Sequence, residues 1–156
     1  MPTLVKDFLA QKRIAVAGVS RKPAAHGANA VYVRLRQRGY QVFAVNPNAT
    51  TVEGDRSYHD LRSIPGGVDA VVIATAPARA ESIARECQEL GIRRIWMHHG
   101  AAQTSASPAA VDYCRKNGIA VIPSGCPLMY APTSDGLHRC MRWFLERTGS
   151  VPTGIE

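Results

Sequence analysis

The stretch Arg13-Ile14-Ala15-Val16-Ala17-Gly18-Val19-Ser20-Arg21-Lys22 runs an apolar strand into a glycine turn that carries a hydroxyl and two cations. Backbone N–H groups, Ser20, Arg21 and Lys22 ahead of a helix N-terminus would offer a phosphate both hydrogen bonds and charge compensation. The second and third glycines of the dinucleotide fingerprint G-x-G-x-x-G do not follow at the required spacing. The loop therefore reads as a receiver of a phosphorylated nucleotide more firmly than as a receiver of NAD, although a long turn with solvated charges has the same composition. Gly27, at the end of the loop, permits close approach of a ligand or a helix.

Four further segments carry side chains of chemical interest. Dinucleotide folds close their second strand with Asp or Glu, which accepts from the adenosine ribose; here Val45 is followed by Asn46-Pro47-Asn48. A neutral turn does not repel a ribose bearing a phosphate, so NADP or coenzyme A is easier to accept than NAD, and Asn-Pro-Asn is also simply a good turn. In Thr75-Ala76-Pro77-Ala78-Arg79 small residues precede a proline near the first position of a helix, leaving room for a ligand. His98-His99-Gly100 invites a metal or acid–base reading. Adjacent side chains on an extended segment point to opposite sides, however, so the pair makes a poor chelate, and neither a metal site nor catalysis by either histidine is expected. Ser124-Gly125-Cys126-Pro127 places a thiol at the same rim; as a nucleophile it would need a partner base, and a buried inert cysteine is the commoner state.

The elements that must carry these loops are legible as an alternation. Strands are expected at Ile14–Ala17, Val42–Val45, Ala70–Thr75, Arg94–Met97 and Ala120–Ile122. Helices are expected at Ala28–Arg38, Ala78–Leu90, Pro108–Asn117 and about Gly136–Arg147, after an amphipathic first helix with Leu4, Val5, Phe8 and Leu9 on one side. Gly39, Gly91 and Gly118 each follow a helical run and precede a strand, where a left-handed residue ends the helix. Continuous apolar strands such as Val71-Val72-Ile73 fit a sheet covered on both faces. The predicted fold is a single doubly wound, Rossmann-like α/β domain over residues 1–156, with a mainly parallel sheet of five or more strands and a loosely held tail from Gly149 to Glu156. In that architecture ligands lie at the carboxyl ends of the strands.

Composition narrows the function classes. The 156 residues are 46% apolar and 20% charged, with no apolar run near the roughly 18 residues of a membrane span. The N-terminus lacks the pattern of a secretory signal, and the four cysteines, Cys87, Cys114, Cys126 and Cys140, form no C-x-x-C pair. A cytoplasmic protein with reduced thiols is expected. The net charge of +7 suits an anionic partner, but nucleic acid is disfavoured: aromatics are 6% of residues, and Arg34, Arg36 and Arg38 spread around their helix. The last helix, with Leu137, Met141, Phe144 and Leu145 on one side and Trp143 on another, is expected to pack on its own domain, with a second subunit or protein partner left open.

Taken in order, several segments resemble the small stand-alone CoA-binding domain proteins, whose fold is similar to the N-terminal CoA-binding domain of the succinyl-CoA synthetase alpha subunit. They are Ile14-Ala15-Val16-Ala17-Gly18-Val19-Ser20, Lys22-Pro23, Gly39-Tyr40-Gln41-Val42, Val45-Asn46-Pro47, Gly54-Asp55-Arg56-Ser57-Tyr58 with Leu61 and Ile64-Pro65, Val68-Asp69-Ala70-Val71, Ile95-Trp96-Met97 with Gly100, and Cys126-Pro127. The resemblance covers Val5 to Tyr130. It implies that Gly18, Val19, Ser20 and Lys22 hold the CoA phosphates with Arg21 beside them. Asn46 and Pro47 would border the adenosine, and Thr75, Ala76 and Pro77 would line the groove. Gly100 and Cys126 would lie toward the pantetheine end, where the chain departs from the family by carrying His99 in place of the usual Gln. The function so implied is non-catalytic binding of coenzyme A or acyl-CoA. The alternatives are an NADP-linked oxidoreductase or an acyl transferase using Cys126.

Overall fold

A computed structural model of the protein describes residues 3–22, 27–100, 104–130, 132–134 and 136–147, with backbone alone at 138 and 145. Pro23, Leu145 as a side chain, and the tail from Gly149 lie outside the described residues.

Among the described residues seven strands form one sheet: β1 (Arg13–Ala17), β2 (Gln41–Val45), β3 (Thr51–Val52), β4 (Asp55–Tyr58), β5 (Ala70–Ile73), β6 (Arg94–Met97) and β7 (Ala120–Ile122), in the order β3-β4-β2-β1-β5-β6-β7. All neighbours are parallel except β3, which runs antiparallel to β4. The helices are α1 (Thr3–Leu9), α2 (Gly27–Gln37), α3 (Pro77–Glu89), α4 (Pro108–Lys116) and α5 (Gly136–Arg147), with a 3₁₀ turn at Pro127–Met129. The expected doubly wound α/β fold is thus observed.

The central strands β1, β5 and β6 are buried along almost their whole length because helices cover both faces, and the period-2 alternation divides them. Ala44, Val16, Val72, Trp96 and Ile122 stand in register across the sheet and pack with Phe8 of α1 and with Val31, Tyr32 and Leu35 of α2. Their neighbours Ala17, Ile73 and Met97 face the opposite layer, where Ala80 and Ala84 of α3 and Ala110 of α4 pack. Trp96 is wholly buried, with Phe8 edge-on at 5.4 Å and its Nε1–H donating to Gly125 O at 3.1 Å. The indole therefore buries its large apolar surface without leaving its donor unsatisfied.

The glycines expected to stop helices do so: Gly39, Gly91 and Gly118 have φ of 84°, 73° and 65°. Two findings differ from expectation. The β5 ladder ends with Ala74 N donating to Ala17 O at 2.8 Å, so Ala74 and Thr75 belong to the loop. The β3–β4 hairpin is additional, and it turns at Glu53 and Gly54, both at positive φ (50° and 82°), as a two-residue hairpin turn requires.

The chain leaves β1 through α2 on one face and β5 through α3 on the other. Because β1 and β5 are neighbours, their carboxyl ends form the point where crossovers part, which is where such sheets open a crevice.

Candidate functional site

Gly18 stands at that parting point. Its φ is +99°, and a Cβ there would lie 2.5 Å from Ala74 O and 3.1 Å from Thr75 Cγ2. Only a residue without a side chain lets the first loop pass this close to the end of β5. Beyond it the loop is held mainly by one side chain. Asn29, on α2 and 1% exposed, accepts from Ser20 N at 2.9 Å and donates to Ser20 O at 3.0 Å and to Glu53 Oε1 at 2.6 Å. Lys22 N donates to Ser20 Oγ at 3.1 Å, making the serine an internal brace. Gly18 N donates to Val45 O at 3.1 Å. The amides of Val19 and Arg21 make no hydrogen bond among the described residues, while the Val19 side chain belongs to the core.

The second loop is tied to the first. Asn46 Nδ2 donates to Val19 O at 2.8 Å, and its Oδ1 accepts from Asn48 N at 2.8 Å, which closes the Asn46-Pro47-Asn48 turn. Asn46 is thus both a turn former and a strut between the ends of β1 and β2. A carboxylate in its place would lack the Nδ2 donor.

Two clefts open on either side of this strut. The smaller, about 430 Å³, is lined by Gly18, Asn46, Pro47, Asp60, Thr75 and Arg79, among others. The larger, about 770 Å³, adjoins it across Pro47, Asn48 and His59 and includes Arg21, Arg56 and Tyr58. Asp60 of the smaller cleft accepts from the Ser63 amide at 2.8 Å, which holds that carboxyl below the usual carboxylate range. Glu86 also lines this cleft and accepts from Arg62 N at 3.2 Å.

Of the residues expected at the site, Gly18, Asn46, Pro47 and Thr75 come together on the smaller cleft, and Arg21 joins Pro47 on the larger. Ser20 and Val19 shape the loop from within, and Lys22 is exposed beside it. Ala76 and Pro77 are exposed at the start of α3, with Pro77 in its first turn. Gly100 and Cys126 line neither cleft; Cys126 is 6% exposed within the core cluster that includes Trp96 and Tyr130. Gly27 makes its close approach to the His98 ring, since a Cβ there would lie 3.0 Å from His98 Cε1. His98 is buried and His99 exposed, so the two side chains do part.

A family model described as a CoA binding domain matches residues 12–132. The chain belongs to the CoA-binding domain family. An ADP-forming acetate–CoA ligase of Archaeoglobus fulgidus is 32% identical over 125 residues, which cover 75% of this chain and 18% of the ligase. This CoA-binding domain therefore spans about a fifth of that relative's length. Among solved structures, a conserved hypothetical protein from Pyrococcus furiosus superposes with a TM-score of 0.63 at 28% identity, over 73% of this chain and 92% of the other. A hypothetical protein from Pyrococcus horikoshii shares the fold with a TM-score of 0.73 at 23% identity, over 82% and 92%.

The residues present fit the group that the family name implies. Gly18 closes on Ala74 and Thr75, which an added Cβ would strike, and it lines the smaller cleft. The Val19 and Arg21 amides and nearby Lys22 can face an anion, and the clefts flank a neutral turn where a carboxylate would oppose a phosphorylated ribose. Asn29, Arg56, His59 and Asp60 were not legible as site residues. Asn29 looks like an ordinary helix residue until its burial against the loop is known, and the other three arrive through the parallel pairing of β4 with β2, which is long-range.

Proposed function

We propose that the protein binds coenzyme A or acyl-CoA across the carboxyl ends of β1, β2 and β5, without catalysing a reaction on it. The observation that carries this reading is Gly18, whose forced closeness to Ala74 and Thr75 opens the phosphate loop onto a cleft at the parting point of the crossovers. The loop's amides and Lys22 would hold the pyrophosphate, Asn46 and Pro47 would border the adenosine, and Thr75 to Pro77 would wall the groove. Asp60 and Glu86 suit the amino-bearing base better than a phosphate. When bound, coenzyme A supplies a thiol for acyl groups; this chain's residues bind and orient it. The Cys126 thiol is packed in the core, which gives the transferase reading no support, and the incomplete glycine fingerprint after Gly18 gives none to the oxidoreductase reading. A protein partner or second copy of the chain is compatible with this role.

Thermal unfolding with CoA, acetyl-CoA, NAD and NADP tests the reading. A ligand at about a hundred times its Kd stabilises by roughly 2.7 kcal/mol, a rise in Tm of roughly 5–10 °C for a domain of this size. CoA or acetyl-CoA should produce the rise. If NADP produces it and CoA does not, the reading fails.

A further inference from the structure

Five arginines of this structure sit on carboxylates: Arg36 on Asp55, Arg62 on Glu89, Arg85 on Glu81, Arg94 on Asp7 and Arg142 on Glu146. Arg21 and Arg56 do not. Both line the larger cleft, and neither meets a carboxylate among the described residues. Arg56 lies over the Tyr58 ring, 5.1 Å from its centroid, and Tyr58 is in turn fixed edge-on to Phe43. That stacking holds a planar, permanently charged donor over the cleft with part of its rotamer freedom already lost. In the same wall the Ser57 Oγ is buried and has no hydrogen-bond partner among the described residues. A cleft that presents two uncompensated guanidinium groups and an unsatisfied hydroxyl suits a compact anion with several acceptor oxygens.

Its position says which anion. The larger cleft meets the smaller one at Pro47, Asn48 and His59, so a nucleoside seated in the smaller cleft would turn its ribose toward that shared edge. The two clefts also differ in charge: Asp60 and Glu86 line one together with Arg79, whereas Arg21 and Arg56 line the other with no carboxylate among its described lining. We infer that the larger cleft is a subsite for a phosphate carried on the ribose, clamped by Arg21 and Arg56, and that it makes the protein selective for nucleotides bearing that group. The inference rests on the CoA reading and adds the means of discrimination. The pyrophosphate belongs to the Gly18 loop; the ribose phosphate belongs to the hairpin side, and the β3–β4 edge is what supplies Arg56.

Calorimetric titration of the wild type, Arg56→Gln and Arg21→Gln with CoA and with 3′-dephospho-CoA separates the two claims. The wild type should bind CoA at least about tenfold more tightly than the dephospho form, as expected of charge-assisted bonds to a phosphate. That ratio should shrink as salt is raised. Arg56→Gln should bring the ratio close to one while leaving dephospho-CoA affinity within about twofold, and Arg21→Gln, on a different segment, should lower the ratio too, which supplies the test where the hairpin substitution disturbs folding. Equal wild-type affinities, or an Arg56→Gln protein that keeps the full preference, overturn the subsite. Absence of binding by the wild type to either compound removes the CoA reading itself and the subsite with it.

Discussion

Gly18 is constrained twice, and the two constraints can be measured apart. Its φ of +99° penalises any L side chain, and the added Cβ would also meet Ala74 O at 2.5 Å. Gly39 has a similar φ of +84° but nothing within 4 Å of an added Cβ. Gly39→Ala should therefore cost only the left-handed backbone, about 1–2 kcal/mol. Gly18→Ala should cost more, roughly 2–4 kcal/mol, because the loop must also be pushed off β5. Urea unfolding of the two variants checks the order, and equal costs would mean that the close approach is relaxed without penalty. The same substitution should abolish the ligand-induced rise in Tm, since it displaces the loop that would receive the phosphates.

At the scale of elements, the β3–β4 hairpin is where sequence and structure part company. The strands Arg94–Met97 and Ala120–Ile122 and the stops at Gly39, Gly91 and Gly118 follow from local chemistry, namely apolar runs and the need for positive φ, and are found where expected. The hairpin has two-residue β3 and a Glu at positive φ, neither of which announces a strand pair locally. It is held by tertiary contacts: Tyr32 OH donates to Asp55 at 2.7 Å, and Arg36 donates to Asp55 and, at 3.0 Å, to Glu53 O. The Tyr32 hydroxyl first, and then Arg36, hold the Asp55 carboxyl below its ordinary value, and burial with Asp55 pushes the Tyr32 phenol up. A carboxyl depressed in the folded state adds stability above its unfolded value near pH 4, and that stability is lost as pH falls through the folded value. Asp55→Asn should therefore lower stability at pH 7 and show a shallower loss below about pH 4 than the wild type. Urea midpoints from pH 3 to pH 7 test this; parallel profiles would show that the hairpin carboxylate does not couple to folding.

Across the whole molecule, the sheet buries both of its faces, yet the last helix remains largely uncovered. The described residues of α5 were expected to pack on their own domain, but Leu137, Trp143 and Phe144 are 71%, 55% and 61% exposed. The helix is joined to the body near the 3₁₀ turn, with Arg142 lying 4.7 Å over the Tyr130 ring. Its amphipathic spacing was readable, but which side found a partner was not, because the α1 and α2 layer already covers that face of the sheet. Leu137→Gln and Trp143→Gln should each change the urea unfolding free energy by no more than about 0.5 kcal/mol at low protein concentration, as exposed positions do. A loss of several kcal/mol would show that these side chains are covered in solution. No helix among the described residues is long and apolar enough to cross a membrane.

Asn29 joins parts of the chain that no strand ladder connects. Its single amide group engages Ser20 on the first loop and Glu53 at the hairpin tip, so displacing that side chain releases both segments together. Amide protons of the loop and of the hairpin tip should consequently exchange with solvent as one unit, with a shared opening free energy. A ligand seated on the loop would then slow exchange at the tip of the sheet's outer edge, making that edge a remote reporter of occupancy.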